Sequence, residues 1–159
     1  HSGADFGRAA ALCKGAGLTL NPTFVAFTPW TTLEGYLDLL GAIWELDLVA
    51  NVAPVQYGIR LLIPDGSRLL DDHEVKALVG DFDEASLSWK WAHEDPRVDR
   101  LQRDVMELVA GSDAERHDIF EAVWRLAAGA LGRAPERPNR LLEARPRATI
   151  PYLTEPWYC

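Results

Sequence analysis

The sequence predicts an α/β fold: the C-terminal portion of a partial (βα) barrel, with two parallel strands and their helices, followed by a helical appendage. Three observations carry that expectation. Residues 18–28 and 48–63 are apolar at most positions of both faces, the pattern of strands covered on both sides. An amphipathic helical stretch lies between them, so strand, helix and strand make a right-handed βαβ unit with parallel strands. From residue 68 onward the spacing turns helical. The chain divides on this reading into a barrel part (1–70), a helical subdomain (71–132) and a Pro/Arg-rich linker with an aromatic, Cys-terminated tail (133–159).

Taken in order, Ser2 and Asp5 have capping spacing, and Phe6, Ala9, Ala10 and Cys13 share one helical face. Gly15 and Gly17 end that helix. The uncharged, β-branched run that follows breaks at Pro29, which cannot donate to a ladder. Thr31, three residues before Glu34, has capping-box spacing for the next helix. That helix carries Leu33, Tyr36, Leu37, Leu40, Ile43 and Trp44 as its apolar stripe. The second strand, interrupted by Pro54 and Gly58, ends at the turn signal Pro64-Asp-Gly-Ser67. A short helix over 69–79 follows, then a short strand in which Trp89 and Trp91 alternate around Lys90. Pro96 opens a helix that stops at Gly111; Ser112 and Glu115 have capping-box spacing for the last helix, which runs to Gly132. These two helices read as an antiparallel hairpin on the side of the barrel.

Composition narrows the function classes. A net charge of -8 gives no basic face for nucleic acid, and no apolar run has the length of a membrane span. Two cysteines, Cys13 and Cys159, form no disulfide framework, so a cytoplasmic setting is expected. Neither lies in a Cys-x-x-Cys pair, so the sequence offers no metal site of that kind.

Candidate site residues follow from the barrel expectation, because βα architectures place chemistry at the carboxyl ends of strands. Thr28, Pro29 and Trp30 occupy that end of the first strand. Gln56 and Arg60 share parity in the second, so both point to one side. An Arg in an apolar run either salt-bridges a neighbouring strand or, facing the barrel lumen, binds a carboxylate or phosphate through its planar fork; Gln56 on the same side favours the second. His93 beside Glu94 and Asp95 is either a base or ligand or a helix-capping group. Asp65-Gly66-Ser67 offers backbone amides that could face an anion.

Two strands make a marginal sheet, so further strands are expected before His1. Within that frame, His1-Ser-Gly-Ala-Asp5, the Gly17-Leu-Thr-Leu-Asn-Pro-Thr23 strand, Phe27-Thr-Pro-Trp-Thr-Thr32 and Pro54-Val-Gln-Tyr-Gly-Ile-Arg-Leu61 resemble the second half of a radical S-adenosylmethionine (radical SAM) enzyme barrel. The Phe27–Thr32 stretch stands where that superfamily has a Gly-x-Pro-Gly-x-Thr-like turn, with Pro29 and a threonine kept and the glycines absent. The ending Leu153-Thr-Glu-Pro-Trp-Tyr-Cys159 is similar to radical SAM proteins that finish in Cys-Sec-Ala-Glu-Pro or Cys-Cys-Ala-Glu-Pro.

The resemblance implies a TIM-barrel-type fold, a [4Fe-4S] cluster, and reductive cleavage of S-adenosylmethionine to a 5′-deoxyadenosyl radical by the full-length enzyme. The cluster's Cys-x-x-x-Cys-x-x-Cys loop is absent from this sequence, so the segment alone is expected to be inactive. Its partner would be a missing N-terminal half of the same chain. Thr28, Gln56 and Arg60 would then line the cofactor or substrate pocket, and Cys159 with a following selenocysteine or cysteine would be a redox pair or an extra ligand. The substrate is not readable. Two other functions fit the same residues: a non-catalytic helical interaction module over 68–132, and another βα-barrel enzyme binding a phosphate or carboxylate.

Overall fold

The computed structural model describes residues 3–136. Among them the fold is mixed α/β, with five α-helices and a two-stranded antiparallel sheet. The helices are α1 (Gly3–Gly15), α2 (Leu33–Glu45), α3 (His73–Leu78), α4 (Pro96–Ala110) and α5 (Arg116–Ala130). The strands are β1 (Val79–Asp83) and β2 (Ser88–Trp91).

Three helices end in the same backbone device. After α1, Gly17 takes φ 69° and Leu18 N–H reaches Cys13 C=O at 2.8 Å, with Gly17 N–H on Lys14 C=O at 3.2 Å. After α5, Gly132 at φ 65° repeats the pattern. After α2 the left-handed position is held by Asp47 at φ 62°, and Leu48 N–H closes on Ile43 C=O at 2.9 Å. These are Schellman closures, which satisfy carbonyls that a helix end would otherwise orphan.

One large core joins the first half of the chain to the last two helices. Phe27, Tyr36, Leu40, Ile43, Val52 and Tyr57 pack with Val98, Val105, Phe120 and Val123. That cluster crosses the domain boundary expected at residue 70. The apolar residues of α5 are spent inward against α2, α4 and the 3-10 turn Pro54–Tyr57. A second, smaller cluster collects Ile63, Val75 and Trp91 under the hairpin.

The parallel barrel strands are corrected. Residues 18–26 are neither helix nor turn, but they carry no ladder. Residues 48–63 are turn and 3-10 helix over half of their length, with no strand. Their backbone-to-backbone pairing with the first segment is one parallel bridge, Phe27 to Arg60, in which Phe27 N–H meets Ile59 C=O at 3.0 Å and Leu61 N–H meets Phe27 C=O at 2.8 Å. Pro54 opens the 3-10 turn at its first position, where its missing N–H costs nothing. The apolar run is therefore a packed connection: Leu48, Val49, Val52 and Tyr57 bury against the helices from irregular backbone.

Further elements shift. The helix expected over 69–79 splits into a 3-10 turn, Arg68–Asp71, and α3, and Val79 already belongs to β1. The short strand holding Trp89 and Trp91 is present, with Phe82 opposite Trp89 and Val79 opposite Trp91 across a bulge. The N-cap of α2 is Thr32, whose hydroxyl accepts Gly35 N–H at 2.9 Å, and not Thr31. Ser112 does not cap α5; its hydroxyl accepts Ala114 N–H within the connecting loop.

Candidate functional site

The carboxyl end of the bridged segments is the place where the candidate residues meet other elements. Thr28 follows Phe27 directly, and Arg60 is Phe27's bridge partner. Each is engaged differently.

Thr28 belongs to a closed hydroxyl knot. Thr31 Oγ1 accepts Thr28 N–H at 2.9 Å and donates to Ala26 C=O at 3.1 Å. A threonine hydroxyl has one proton, so in the 3.0 Å contact between the two hydroxyls Thr28 is the donor. Thr28 Oγ1 in turn accepts Trp30 N–H at 3.3 Å. Pro29 is buried inside this turn, while Trp30 stands 51% exposed.

Gln56, in the 3-10 turn, accepts Phe24 N–H on its side-chain oxygen at 2.8 Å. It acts as a main-chain clasp between segments 32 residues apart. No hydrogen bond links any two of Thr28, Gln56 and Arg60 among the described residues.

Arg60 is paired within the chain. Its guanidinium donates to Asp99 Oδ1 at 2.7 Å and to Trp91 C=O at 2.6 Å. It also lies 3.6 Å above the Trp91 ring centroid, well inside cation–π range. Trp91 is held in place by its indole N–H on Leu61 C=O at 2.8 Å. The second Asp99 oxygen accepts His93 N–H at 3.0 Å. Both side chains of the ion pair are mostly covered, at 23% and 17% exposure. The ion pair is therefore made to helix α4, where the sequence suggests a neighbouring strand or a bound anion.

The N-terminus of α4 adjoins this pair. Asp95 caps it, accepting Arg97 N–H at 2.9 Å, and also takes the Arg97 side chain at both carboxylate oxygens. Hydrogen bonds from the Arg97 side chain, then from its backbone, hold the Asp95 carboxyl below the usual carboxylate range. The same side-chain bond raises Arg97, with Glu34 of α2 adding a smaller effect. His93 Nδ1 accepts Asp95 N–H at 2.9 Å, which places the neutral ring's proton on Nε2. His93 therefore braces the N-cap residue Asp95 without being the cap, with Nε2 free of a partner among the described residues.

In the core, burial raises the Tyr36 hydroxyl well above its ordinary value, with nearby Tyr57 adding to it, and Tyr36 donates to Tyr57 C=O at 2.8 Å. Burial likewise pushes the Tyr57 hydroxyl up, against a smaller opposing effect from Arg116. Tyr57 OH has no hydrogen-bond partner among the described residues.

At Asp65-Gly66-Ser67, the Ser67 hydroxyl accepts Leu69 N–H at 3.3 Å and caps the Arg68–Asp71 turn. Cys13 is a half-buried free thiol; Cys159 lies outside the described residues. Among the described residues no three His, Cys, Asp or Glu side chains group as a metal would require, and no helix is long and apolar enough to cross a membrane.

Asp99 and Thr31 are the residues whose roles the sequence did not reveal. Asp99 lies 39 positions from Arg60, and no local pattern announces such a pair. Thr31 was visible as a cap, one residue out of register with the true one. Comparisons with family models, curated proteins and solved structures find no match for this chain.

Proposed function

We propose that this chain is the C-terminal part of a radical S-adenosylmethionine enzyme, in which the Phe27–Arg60 bridge is a remnant of the parallel contact of a partial (βα) barrel. One observation supports the reading above others. A segment ends at the locked Thr28-Pro29 turn, passes within a few residues into α2, and returns to bridge in parallel at Arg60. That is the connectivity of a βα unit, with the motif-like stretch Phe27–Thr32 at its carboxyl end.

The described residues do not fit a [4Fe-4S] cluster, because they include a single cysteine, Cys13, and no three-ligand group. In this reading the cluster ligands lie in a preceding half of the same chain, and none of the described residues is assigned a chemical step. Thr28, Gln56 and Arg60 hold the carboxyl end in shape through main-chain clasps and the Asp99 pair. The protein's part is orientation and exclusion, while the cofactor supplies the radical.

The test is to read the gene on both sides of this frame and express the longest product. An upstream Cys-x-x-x-Cys-x-x-Cys, together with 5′-deoxyadenosine formed from S-adenosylmethionine after anaerobic cluster reconstitution, is the expected result. A frame without that loop, or a reconstituted protein that forms no 5′-deoxyadenosine, overturns the reading.

A further inference from the structure

The turn from Pro64 to Ser67 carries the one Asp-Gly step in the sequence, and the fold leaves that step chemically open. Ser67 N–H closes the turn on Pro64 C=O at 3.2 Å, and Gly66 takes the left-handed position at φ 71°, which a residue with a side chain rarely adopts. Pro64, Asp65 and Gly66 are all exposed. Among the described residues the Asp65 carboxylate has no hydrogen bond or ion pair, and the Gly66 N–H has no acceptor. Nothing beyond the adjoining residues lies within 4 Å of where a Gly66 Cβ would stand, so that side of the glycine is open.

Elsewhere one of these conditions fails. Asp95 and Asp99 hold arginines with their carboxylates. The amides that follow Asp71 and Asp113 are bonded, to Leu69 C=O and to Ser112 Oγ. Asp104 and Asp118 lie inside helices, where the next amide is fixed in the ladder.

We propose that Asp65 is a modification site, isomerising through a cyclic imide to isoaspartate in the folded protein. The Gly66 nitrogen bonds to Cγ of the protonated Asp65 carboxyl, the Cγ–OH bond breaks, and that hydroxyl leaves with the nitrogen's proton as water. Water then adds at the former main-chain carbonyl, whose bond to the Gly66 nitrogen breaks. The chain is left linked through Cγ, with a new free α-carboxylate. One water leaves and one enters, and nothing is oxidised or reduced. Ring closure needs rotation about the Asp65 Cα–C bond. Across the turn one 3.2 Å bond resists it, and glycine follows the rotation with no side chain to clash. Exposed turns held by so little open locally, well below the free energy of global unfolding.

The product has an extra main-chain atom between Pro64 and Gly66, so Ser67 N–H no longer meets Pro64 C=O in the same way. Two neighbours adjoin that closure: Ser67, whose hydroxyl caps the Arg68–Asp71 turn, and Ile63, buried with Val75 and Trp91. Isomerisation therefore loosens the smaller core and leaves the larger one in place. The inference does not rest on the barrel reading.

The test is to age the native chain at mildly acidic pH, digest it, and separate isoaspartyl from aspartyl peptides. Labelling by an isoaspartyl carboxyl methyltransferase gives a second readout. Isoaspartate at 65 is expected at least about tenfold above that at any other aspartate, because only there does an unhindered glycine nitrogen follow. In the isomerised fraction the amides of Ser67 and Leu69 exchange faster, while those of α4 and α5 are unchanged. Asp65→Glu, a change at an exposed residue that would have to close a larger ring, removes the signal and leaves the melting temperature unchanged. An aged native chain without isoaspartate at 65 overturns the proposal. So does isoaspartate that forms only in denaturant, because the folded turn then protects the step.

Discussion

Arg60 shows how a residue that reads as a ligand group serves as a fastener. Its charge is met by Asp99, its second nitrogen by the Trp91 carbonyl and its face by the Trp91 ring. Arg60→Ala leaves Asp99 covered and short of its cation, so a loss of about 2–4 kcal/mol is expected in denaturant unfolding. Arg60→Lys restores little of it, because an ammonium matches neither the fork nor the stacked geometry. A stable Arg60→Ala protein would refute the fastening role. Tyr57 is the opposite case. Its hydroxyl is buried without a partner among the described residues, so Tyr57→Phe removes a desolvated group and fills the same space. The expected gain is about 1 kcal/mol, and a loss of stability in the same assay would contradict it. Parity and charge marked Arg60 and Gln56 as pocket-lining residues; the partners they have lie 39 and 32 residues away, which no short window contains.

At the scale of elements, the long helices and the short Trp89–Trp91 strand were legible, and the two longer strands were not. The α2 stripe and the Pro96 start announce themselves through apolar period and caps, and α4 and α5 begin and end close to where those signals fall. The run 48–63 misled because continuous apolarity reports burial, and a packed turn is as buried as a central strand. Pro54 and Gly58 were the signals against a strand. Gly58 has a specific reason to be small: a Cβ there would lie 2.8 Å from Met106 Cγ and 3.5 Å from Val105 Cγ1. Gly58→Ala is expected to cost about 1–3 kcal/mol, and Met106→Ala in the same chain to remove most of that penalty in a double-mutant cycle. The cap of α4 makes a pH prediction. Asp95 has a depressed carboxyl pKa, so its contribution is present above the ordinary carboxylate pKa of about 3.9 and is lost as pH falls through the lower folded value. The melting temperatures of the wild type and Asp95→Asn should differ near neutral pH and converge at strongly acidic pH. A gap that persists there excludes the ionised Asp95 as its source.

For the whole molecule, the expected barrel part and helical appendage are sewn into one core, and much of the stitching is polar. Gln56 reaches Phe24 across 32 positions, Arg60 reaches Asp99 across 39, and Arg116 reaches the Ala50 carbonyl across 66 at 2.6 Å. Against these stand α4 and α5, which pack on each other across a loop of a few residues. Loop closure makes distant contacts entropically late and neighbouring helices early. The order of assembly is thus written into the spacing: the helical pair condenses first and the polar clasps close last. Arg60→Ala should accordingly speed unfolding in proportion to its lost stability while the refolding rate hardly moves. A chevron whose folding limb drops instead would put the Arg60–Asp99 clasp inside the nucleus. With late closure, the guanidinium on Trp91 acts as a latch on the native state, setting how long the molecule stays folded more than how fast it gets there.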